Sequence, residues 1–218
     1  MIKNNRIKII KKSEGYKLKK VLYIKANIKP EGESRTFKLS DTFIEEYKRL
    51  NPEDQITVLD LYKENIDFLK LEDLGPVFGP KTAESKNHPI LKYAYQFAEA
   101  DKIVLAAPMW NLGMPAIVKA YFDYVSVTGI TFGYTANGPV GLSKGEKAII
   151  ISGRGGNYST PPMDALEMGE RYAKTIMNFL GIKEVQSLGA EMLDVKEVDT
   201  DKILNDAIEK AKEAAKNF

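Results

Sequence analysis

The 218-residue sequence contains no cysteine and a single histidine. Without cysteine, the chain has no disulfide, no thiolate nucleophile and no cysteine-ligated metal, as is typical of proteins of the reducing cytoplasm, where we expect this one. His88 precedes a proline in a polar stretch, so we interpret it as a loop residue. One such histidine argues against a histidine-built zinc site and against a Ser-His-Asp triad. We therefore expect no metal.

Long apolar runs are also missing. No segment reaches the roughly 20 apolar residues that a membrane-spanning helix needs, so we expect no membrane partner. Hydrophobic residues make up 44% of the chain and charged residues 28%, which is the balance of a globular protein. The length suits one domain with a sizeable core.

The chain has no net positive charge outside its first twenty residues. Residues 1–20 carry eight Lys or Arg and one Glu, which leaves a net charge of −5 on residues 21–218. The body is thus not a nucleic-acid binder by charge. We expect 1–20 to be a basic extension, disordered or loosely docked, and 21–218 to be the folded domain. A leader from cloning and a weak tether to an anionic surface stay open as alternatives, whereas "IKII" is too short for a signal peptide.

Short apolar, β-branched runs alternate with helical patterns along the chain. This alternation is typical of βαβ units, and it predicts an α/β fold with an open, doubly wound, five-stranded parallel sheet and helices on both faces. The predicted strands are 21–26, 56–61, 102–107, 147–152 and 184–189. The predicted helices are 35–50, 89–100, 115–127, 163–181 and 198–216, with Asp199 and Thr200 placed to cap the last one. Residues 64–90 and 128–142 break the rhythm and are expected to be irregular.

In a doubly wound sheet, ligands bind outside the carboxyl ends of the strands. After the first strand, "NIKPEGESRTF" brings Ser34, Arg35 and Thr36 to the predicted start of a helix. Hydroxyls, free N–H groups and a guanidinium there suit an anion, best a phosphate. The alternative is a plain Ser/Thr N-cap beside a solvated arginine. The loop lacks the glycine patterns of Rossmann dinucleotide sites and of phosphate-loop NTPases.

The loop after the third strand, "APMWNLGMP", is bounded by Pro108 and Pro115 and contains Gly113. Its backbone groups from Met109 to Leu112 are therefore held in fixed directions, suited to the edge of a planar heterocycle, and Trp110 offers an aromatic face. Considered without the neighbouring loops, Trp110 is equally well interpreted as a residue that packs in the core or at an interface. Pro115 is expected near the first position of the following helix.

The loop after the fourth strand, "SGRGGNYS", has three glycines in four positions. Such a sequence gives up side-chain packing, which is explained if the backbone approaches a ligand closely. Arg154 would favour negative charge on that ligand. The alternative is a flexible surface turn.

Taken together, "APMWNLGMPAIVKAYFDYV", "GITFGYTANGPVGL" and "SGRGG" resemble the FMN-dependent NADH:azoreductase and NAD(P)H:quinone reductase family, which has a flavodoxin-like fold. The resemblance runs from about residue 20 to the C-terminus. It implies FMN as cofactor, NADH or NADPH as electron donor, quinones or azo compounds as acceptors, and a homodimer.

The resemblance also implies roles for individual residues. The cofactor would be bound by three loops: Asn27, Ser34, Arg35 and Thr36; Met109, Trp110, Asn111 and Leu112; and Gly153, Arg154, Gly155 and Gly156. The substrate pocket would contain Trp110, Leu112, Tyr134 and Phe179. No side chain is assigned as catalytic, because the flavin carries the chemistry in this family.

The resemblance further implies that electrons pass from the nicotinamide donor to the flavin and then to the acceptor, in a ping-pong scheme. A flavodoxin-type FMN electron carrier is the alternative. Such carriers are shorter and strongly acidic, and they lack long segments like 64–90 and 128–142. A signalling domain without flavin on the same fold would leave the glycine loop unexplained.

Overall fold

The computed structural model describes residues 17–30 and 32–218 of the chain. Within these residues the strands are β1 Lys20–Lys25, β2 Gln55–Asp60, β3 Lys102–Ala106, β4 Phe132–Thr135, β5 Gly138–Gly141, β6 Lys147–Gly153 and β7 Glu184–Ala190. Five of them form a parallel sheet in the order β2-β1-β3-β6-β7, and β4 and β5 form a separate antiparallel hairpin. The predicted five-stranded, doubly wound parallel sheet is confirmed.

Helices cover both faces of the sheet. They are α1 Arg35–Leu50, α2 Leu74–Phe78, α3 Leu91–Glu99, α4 Ala116–Val125, α5 Gly169–Phe179 and α6 Thr200–Asn217. Residues of α1 and α6 share one buried cluster with one face of the sheet, and residues of α3, α4 and α5 share the other cluster with the opposite face. The predicted cap of α6 is present, since the carboxylate of Asp199 accepts a hydrogen bond from the N–H of Lys202 at 2.9 Å.

The central strand β3 shows why the sheet forms. Successive side chains of a strand point to opposite faces, so an apolar run buried on both sides is typical of a parallel sheet between two helix layers. Ile103 and Leu105 lie in one core cluster, and Val104 and Ala106 in the other. Burial of each large side chain contributes roughly 1.5–3 kcal/mol. The parallel arrangement places the ends of β1, β3 and β6 at one edge, where their three loops meet.

The first strand begins one residue earlier than predicted. Lys20 is the first residue of β1, and the Nζ of Lys19 forms an ion pair with Glu146 at 2.8 Å. The N–H of Lys19 also donates to Asp54 at 3.1 Å. The rest of the predicted basic extension, residues 1–16, lies outside the described residues.

One helix prediction needs correction. The helix expected over 163–181 is a 3₁₀ turn at Met163–Leu166 followed by α5, which begins at Gly169. The carboxylate of Glu167 accepts hydrogen bonds from the N–H groups of Glu170 and Arg171, so it caps a helix that starts after it. The N–H of Met168 is bonded instead to the carbonyl of Leu112 at 2.9 Å.

The segments expected to be irregular contain short elements. Residues 128–142 include the β4–β5 hairpin, and residues 64–90 include α2 and two 3₁₀ turns. Pro115 immediately precedes α4, whose first residue is Ala116. In the described part of the chain, no helix combines the length and the apolar character that crossing a membrane requires.

Candidate functional site

The first wall of the site is the start of α1. Ser34 caps the helix, because its Oγ accepts a hydrogen bond from the N–H of Phe37 at 3.1 Å, and Asn27 Nδ2 donates to the same oxygen at 2.8 Å. Both side chains are buried. Ser34 is therefore the N-cap of α1, and the hydrogen bond from Asn27 holds its side chain in place.

This arrangement leaves hydrogen-bond donors at the helix start. The first intrahelical bond runs from the N–H of Lys38 to the carbonyl of Ser34, so the N–H groups of Arg35 and Thr36 have no acceptor within the helix. Thr36 Oγ1 accepts from the N–H of Gly153 at 3.1 Å. Because the hydroxyls of Ser34 and Thr36 are acceptors in these bonds, their own hydrogens are left to donate. Such a group of donors suits an anion.

The glycine loop is fixed between two protein segments. The N–H of Arg154 donates to the carbonyl of Ala190, and the N–H of Leu193 donates back to the carbonyl of Arg154. A Cβ at Gly155 would lie 2.5 Å from Asp194 Oδ2, which is closer than atoms approach. The loop is therefore held by backbone hydrogen bonds to the segment after β7, and the absence of a side chain at Gly155 leaves room for Asp194.

Arg154 lies at the centre of a buried charge cluster. Its guanidinium pairs with Glu170 and with Glu191, the latter at 2.9 Å, and only 8% of the residue is exposed. The two carboxylates offset its charge, so Arg154 does not present the free positive charge expected from the sequence. Its Nε–H is buried and has no hydrogen-bond partner among the described residues.

The cluster keeps both glutamates ionised. Burial raises the pKa of Glu170, but hydrogen bonds from Lys174 and Ser187 and the charges of Lys174 and Arg154 outweigh burial, and the pKa lies below its usual value. Burial likewise raises the pKa of Glu191, and bonds from Ser159, from the backbone of Tyr158 and from Arg154 bring it below its usual value. A buried guanidinium with ionised partners is a stable arrangement only while the pairs are complete.

Arg35 also has a carboxylate partner. Its Nη2 donates to Asp194 Oδ1 at 2.5 Å, and its Nη1 donates to the carbonyl of Leu193. The side chain is 33% exposed. Arg35 therefore links the start of α1 to the loop between β7 and α6.

The loop after β3 contains a tight two-residue turn. Trp110 and Gly113 exchange two backbone hydrogen bonds of 2.9 Å, and Asn111 and Leu112 between them have φ angles of 49° and 65°. These left-handed conformations suit a reversed turn, but they are costly for leucine. The N–H of Met109 donates to the carbonyl of Gly153, which ties this loop to the glycine loop.

A cavity of about 130 Å³ opens where the loops meet. It is lined by Asn27, Lys29, Arg35, Thr36, Pro108, Met109, Trp110, Gly153, Arg154, Gly155, Leu193 and Asp194. On the other side of Trp110 lies an open groove of about 580 Å³, lined by Tyr62, Trp110, Asn111, Gly113, Met114, Pro115, Ala116 and Ile117. Trp110 separates a polar cavity from a more apolar groove.

The structure brings most of the predicted cofactor residues together. Eight of the twelve line the cavity, and Asn111 lines the groove beside it. Ser34 supports the cavity as the helix cap, while Leu112 and Gly156 lie in the same loops without lining it.

Two of the predicted substrate-pocket residues lie elsewhere. The rings of Tyr134 and Phe179 both pack on Phe132, with centroid distances of 5.7 Å and 4.9 Å. Neither ring lines the cavity or the groove of this chain, and 72% of Tyr134 is exposed. Within one chain the predicted pocket is therefore incomplete.

Sequence reasoning missed four residues that line the cavity: Lys29, Pro108, Leu193 and Asp194. Lys29 and Pro108 lie in loops that were recognised. Leu193 and Asp194 follow β7, the fifth strand of the sheet, whose loop ends at the same edge. The rule that ligands bind at the carboxyl ends of strands applies to that loop too and was the available signal.

Known proteins are similar to this chain in sequence and in fold. Residues 19–215 match the family described as having a flavodoxin-like fold. FMN-dependent NADH:quinone oxidoreductases of Clostridium beijerinckii and Clostridium perfringens are each 62% identical over 201 residues, which is 92% of this chain and 100% of those proteins. The chain belongs to the family of FMN-dependent NADH:quinone oxidoreductases. The resemblance inferred from the sequence is confirmed.

Solved structures of azoreductases are also similar to this chain. An azoreductase from Bacillus anthracis is 34% identical, with a TM-score of 0.82 over 92% of this chain and 100% of its own. An FMN-dependent NADH-azoreductase from the same species, in complex with FMN, is 25% identical with a TM-score of 0.79, over 92% of this chain and 99% of its own.

Proposed function

We propose that this protein is an FMN-dependent oxidoreductase that takes electrons from NADH or NADPH and passes them to quinones and azo compounds. The observation that carries the proposal is the cavity where the start of α1, with the hydroxyl of Thr36, meets the glycine loop after β6. Relatives that match over their whole length are named FMN-dependent NADH:quinone oxidoreductases.

The donors of the cavity fit an FMN phosphate. The hydroxyl of Thr36 has a hydrogen to donate, and the N–H groups of Arg35 and Thr36 point out of the first turn of a helix, where negative charge is favoured. FMN, when bound, supplies the redox chemistry, so the protein needs no side-chain nucleophile for it. The protein binds, orients and shields it.

The second wall would hold the ring. The turn of Asn111 and Leu112 is fixed by two backbone hydrogen bonds and by the bond from Met168 to Leu112, so its backbone groups are preorganised. Trp110, between cavity and groove, offers the aromatic surface. The groove beyond it is large enough for a flat donor or acceptor.

The carrier alternative is weaker on two structural features. The groove beside Trp110 and the β4–β5 hairpin have no purpose in a protein that only exchanges electrons at an exposed flavin edge. The relatives that match over their whole length are named as enzymes.

We also propose that the protein is a homodimer in which each site receives residues from the partner. Tyr134 and Phe179 are exposed or partly exposed on this chain and line neither of its cavities. In a dimer, the same residues of the second copy would complete the pocket. The proposed cytoplasmic location rests on the absence of cysteine.

The experiment that tests the function uses the purified protein. We expect it to be yellow and to release FMN, identified by chromatography. NADH or NADPH added without oxygen should bleach the flavin absorbance within the turnover time, and a quinone should restore it. Because donor and acceptor would occupy one groove in turn, double-reciprocal plots at several quinone concentrations should be parallel.

Three results would contradict the proposal at different points. Release of FAD, or failure to take up added flavin, would contradict the assignment of FMN as the cofactor. Failure of both nicotinamides to bleach the flavin would favour the carrier alternative. Intersecting lines would mean that donor and acceptor bind together at separate sites, which would leave the activity standing and remove the ping-pong scheme.

A further inference from the structure

Three cations line the cavity, and two of them are paired with carboxylates. Arg154 is held by Glu170 and Glu191, and Arg35 is held by Asp194. Lys29 lines the same cavity, is exposed, and has no carboxylate partner in the part of the chain that the structure describes. The cations of the cavity are therefore not equivalent toward a bound anion.

Asp194 is positioned by the backbone as well as by its ion pair. Its N–H donates to the carbonyl of Gly155 at 3.0 Å, and the neighbouring N–H of Leu193 donates to the carbonyl of Arg154 at 3.1 Å. The missing side chain of Gly155 leaves the space in which Asp194 Oδ2 lies. The carboxylate is thus held at the cavity wall and is not brought there by Arg35 alone.

We propose that Asp194 limits the affinity of this cavity for the FMN phosphate by neutralising Arg35, so that Lys29 supplies the uncompensated positive charge. The proposal rests on the proposed function, because it takes the cavity to be the phosphate site. A phosphate monoester carries about −1.5 to −2 charges at pH 7. It is attracted by Lys29 and Arg35 and repelled by Asp194 from the same wall.

Asp194 also has a structural role at this wall. Arg35 Nη1 and Nη2 both donate to the β7–α6 loop, so the Arg35–Asp194 pair fastens that loop to the start of α1. The same pair that closes the cavity wall offsets the charge of Arg35. Wall stability and phosphate affinity are therefore opposed at Asp194.

The decisive variant is Asp194→Asn, which keeps the size of the side chain and an acceptor oxygen for Arg35 but removes the charge. Flavin-free protein is titrated with FMN and, in parallel, with riboflavin, and binding is followed by quenching of flavin fluorescence. We expect the Kd for FMN to fall about tenfold, because a like charge near the phosphate is lost. The Kd for riboflavin, which lacks the phosphate, should not change.

Two further variants test the distribution of charge. Lys29→Gln should weaken FMN binding more than Arg35→Gln in the otherwise unchanged chain, because the charge of Arg35 is already offset. In the Asp194→Asn background, Arg35→Gln should weaken binding more than it does alone, which is the coupling of a double-mutant cycle. The gain from Asp194→Asn should shrink as salt is added.

Thermal unfolding of each flavin-free variant establishes that it folds. An FMN Kd that is unchanged or higher in folded Asp194→Asn, or an equal change for riboflavin, would overturn the proposal. If Asp194→Asn does not fold, a larger effect of Arg35→Gln than of Lys29→Gln would overturn it, and the reverse order would support it. A wild-type protein that binds no flavin at all would instead contradict the proposed function.

Discussion

The backbone of Leu112 is in a strained conformation. Its φ of 65° is left-handed, a conformation that costs roughly 1–2 kcal/mol for a residue with a Cβ. Three hydrogen bonds hold this conformation: the two turn bonds between Trp110 and Gly113, and the bond from the N–H of Met168 to the carbonyl of Leu112. Strain that surrounding contacts maintain is common at functional sites. The turn is therefore held in its shape by protein contacts.

This strain can be measured by comparing Leu112→Gly with Leu112→Ala. Both variants lose the leucine side chain, but only alanine keeps the Cβ that opposes φ above zero. We expect Leu112→Gly to have the higher free energy of unfolding, by about 1 kcal/mol, in urea titrations of flavin-free protein.

The control is the same pair of substitutions at Lys210, an exposed position in α6. There the order should be reversed, with alanine more stable than glycine by about 1 kcal/mol. If the alanine variant were more stable than the glycine variant at Leu112 as well, Leu112 would not be strained.

At the scale of elements, the β4–β5 hairpin depends on contact between two backbones. A Cβ at Gly141 would overlap the main chain of Gly181, which follows α5 and has a φ of 106°. The N–H of Ser143 donates to the carbonyl of Leu180 at 3.1 Å in the same region. The hairpin that carries Tyr134 is therefore placed by the end of the helix that carries Phe179.

We expect Gly141→Ala to destabilise this contact, because neither backbone has a flexible side chain to move away. The cost should be about 1–3 kcal/mol, measured as a lower free energy of unfolding and as faster amide hydrogen exchange in β4 and β5. Gly133→Ala is the matched control, because a Cβ there would meet only the side chain of Leu142 at 3.4 Å, an ordinary contact. Equal effects of the two substitutions would show that the hairpin is not placed by Gly181.

At the scale of the whole molecule, a single chain leaves the proposed pocket incomplete. Tyr134 is 72% exposed, and large apolar side chains of the 64–90 segment are exposed as well, among them Phe68, Leu71 and Phe78. Large exposed apolar patches often mark interfaces, so these side chains fit the contact surface of the proposed dimer. A twofold dimer would cover it with the same surface of a second copy.

Light scattering at micromolar concentration should therefore give twice the mass of the chain. Tyr134→Ala should slow turnover with quinone while the Kd for FMN stays nearly the same, since Tyr134 does not line the cavity. Mixing Tyr134→Ala with an FMN-binding-deficient variant should restore part of the activity if subunits exchange and sites are shared. A monomer with full activity would refute the shared pocket.

The sequence by itself determined the fold and most of the cavity. Short apolar, β-branched runs alternate with helical patterns such as the periodic one of α6, and this alternation made the α/β sheet predictable. The loops after β1, β3 and β6 were identifiable because glycine, proline and hydroxyl residues have strong local preferences. Eight of the twelve predicted cofactor residues line one cavity for that reason.

Only the tertiary structure decided which charges are free. Arg35 and Arg154 both look like phosphate or flavin ligands in the sequence, yet their carboxylate partners lie 159 residues away for Arg35 and 16 and 37 residues away for Arg154. The start of α5 also depends on a distant contact, because the N–H of Met168 is bonded to the carbonyl of Leu112. Charge pairing depends on distance in space, and local sequence preferences carry no information about which distant residue the fold brings near.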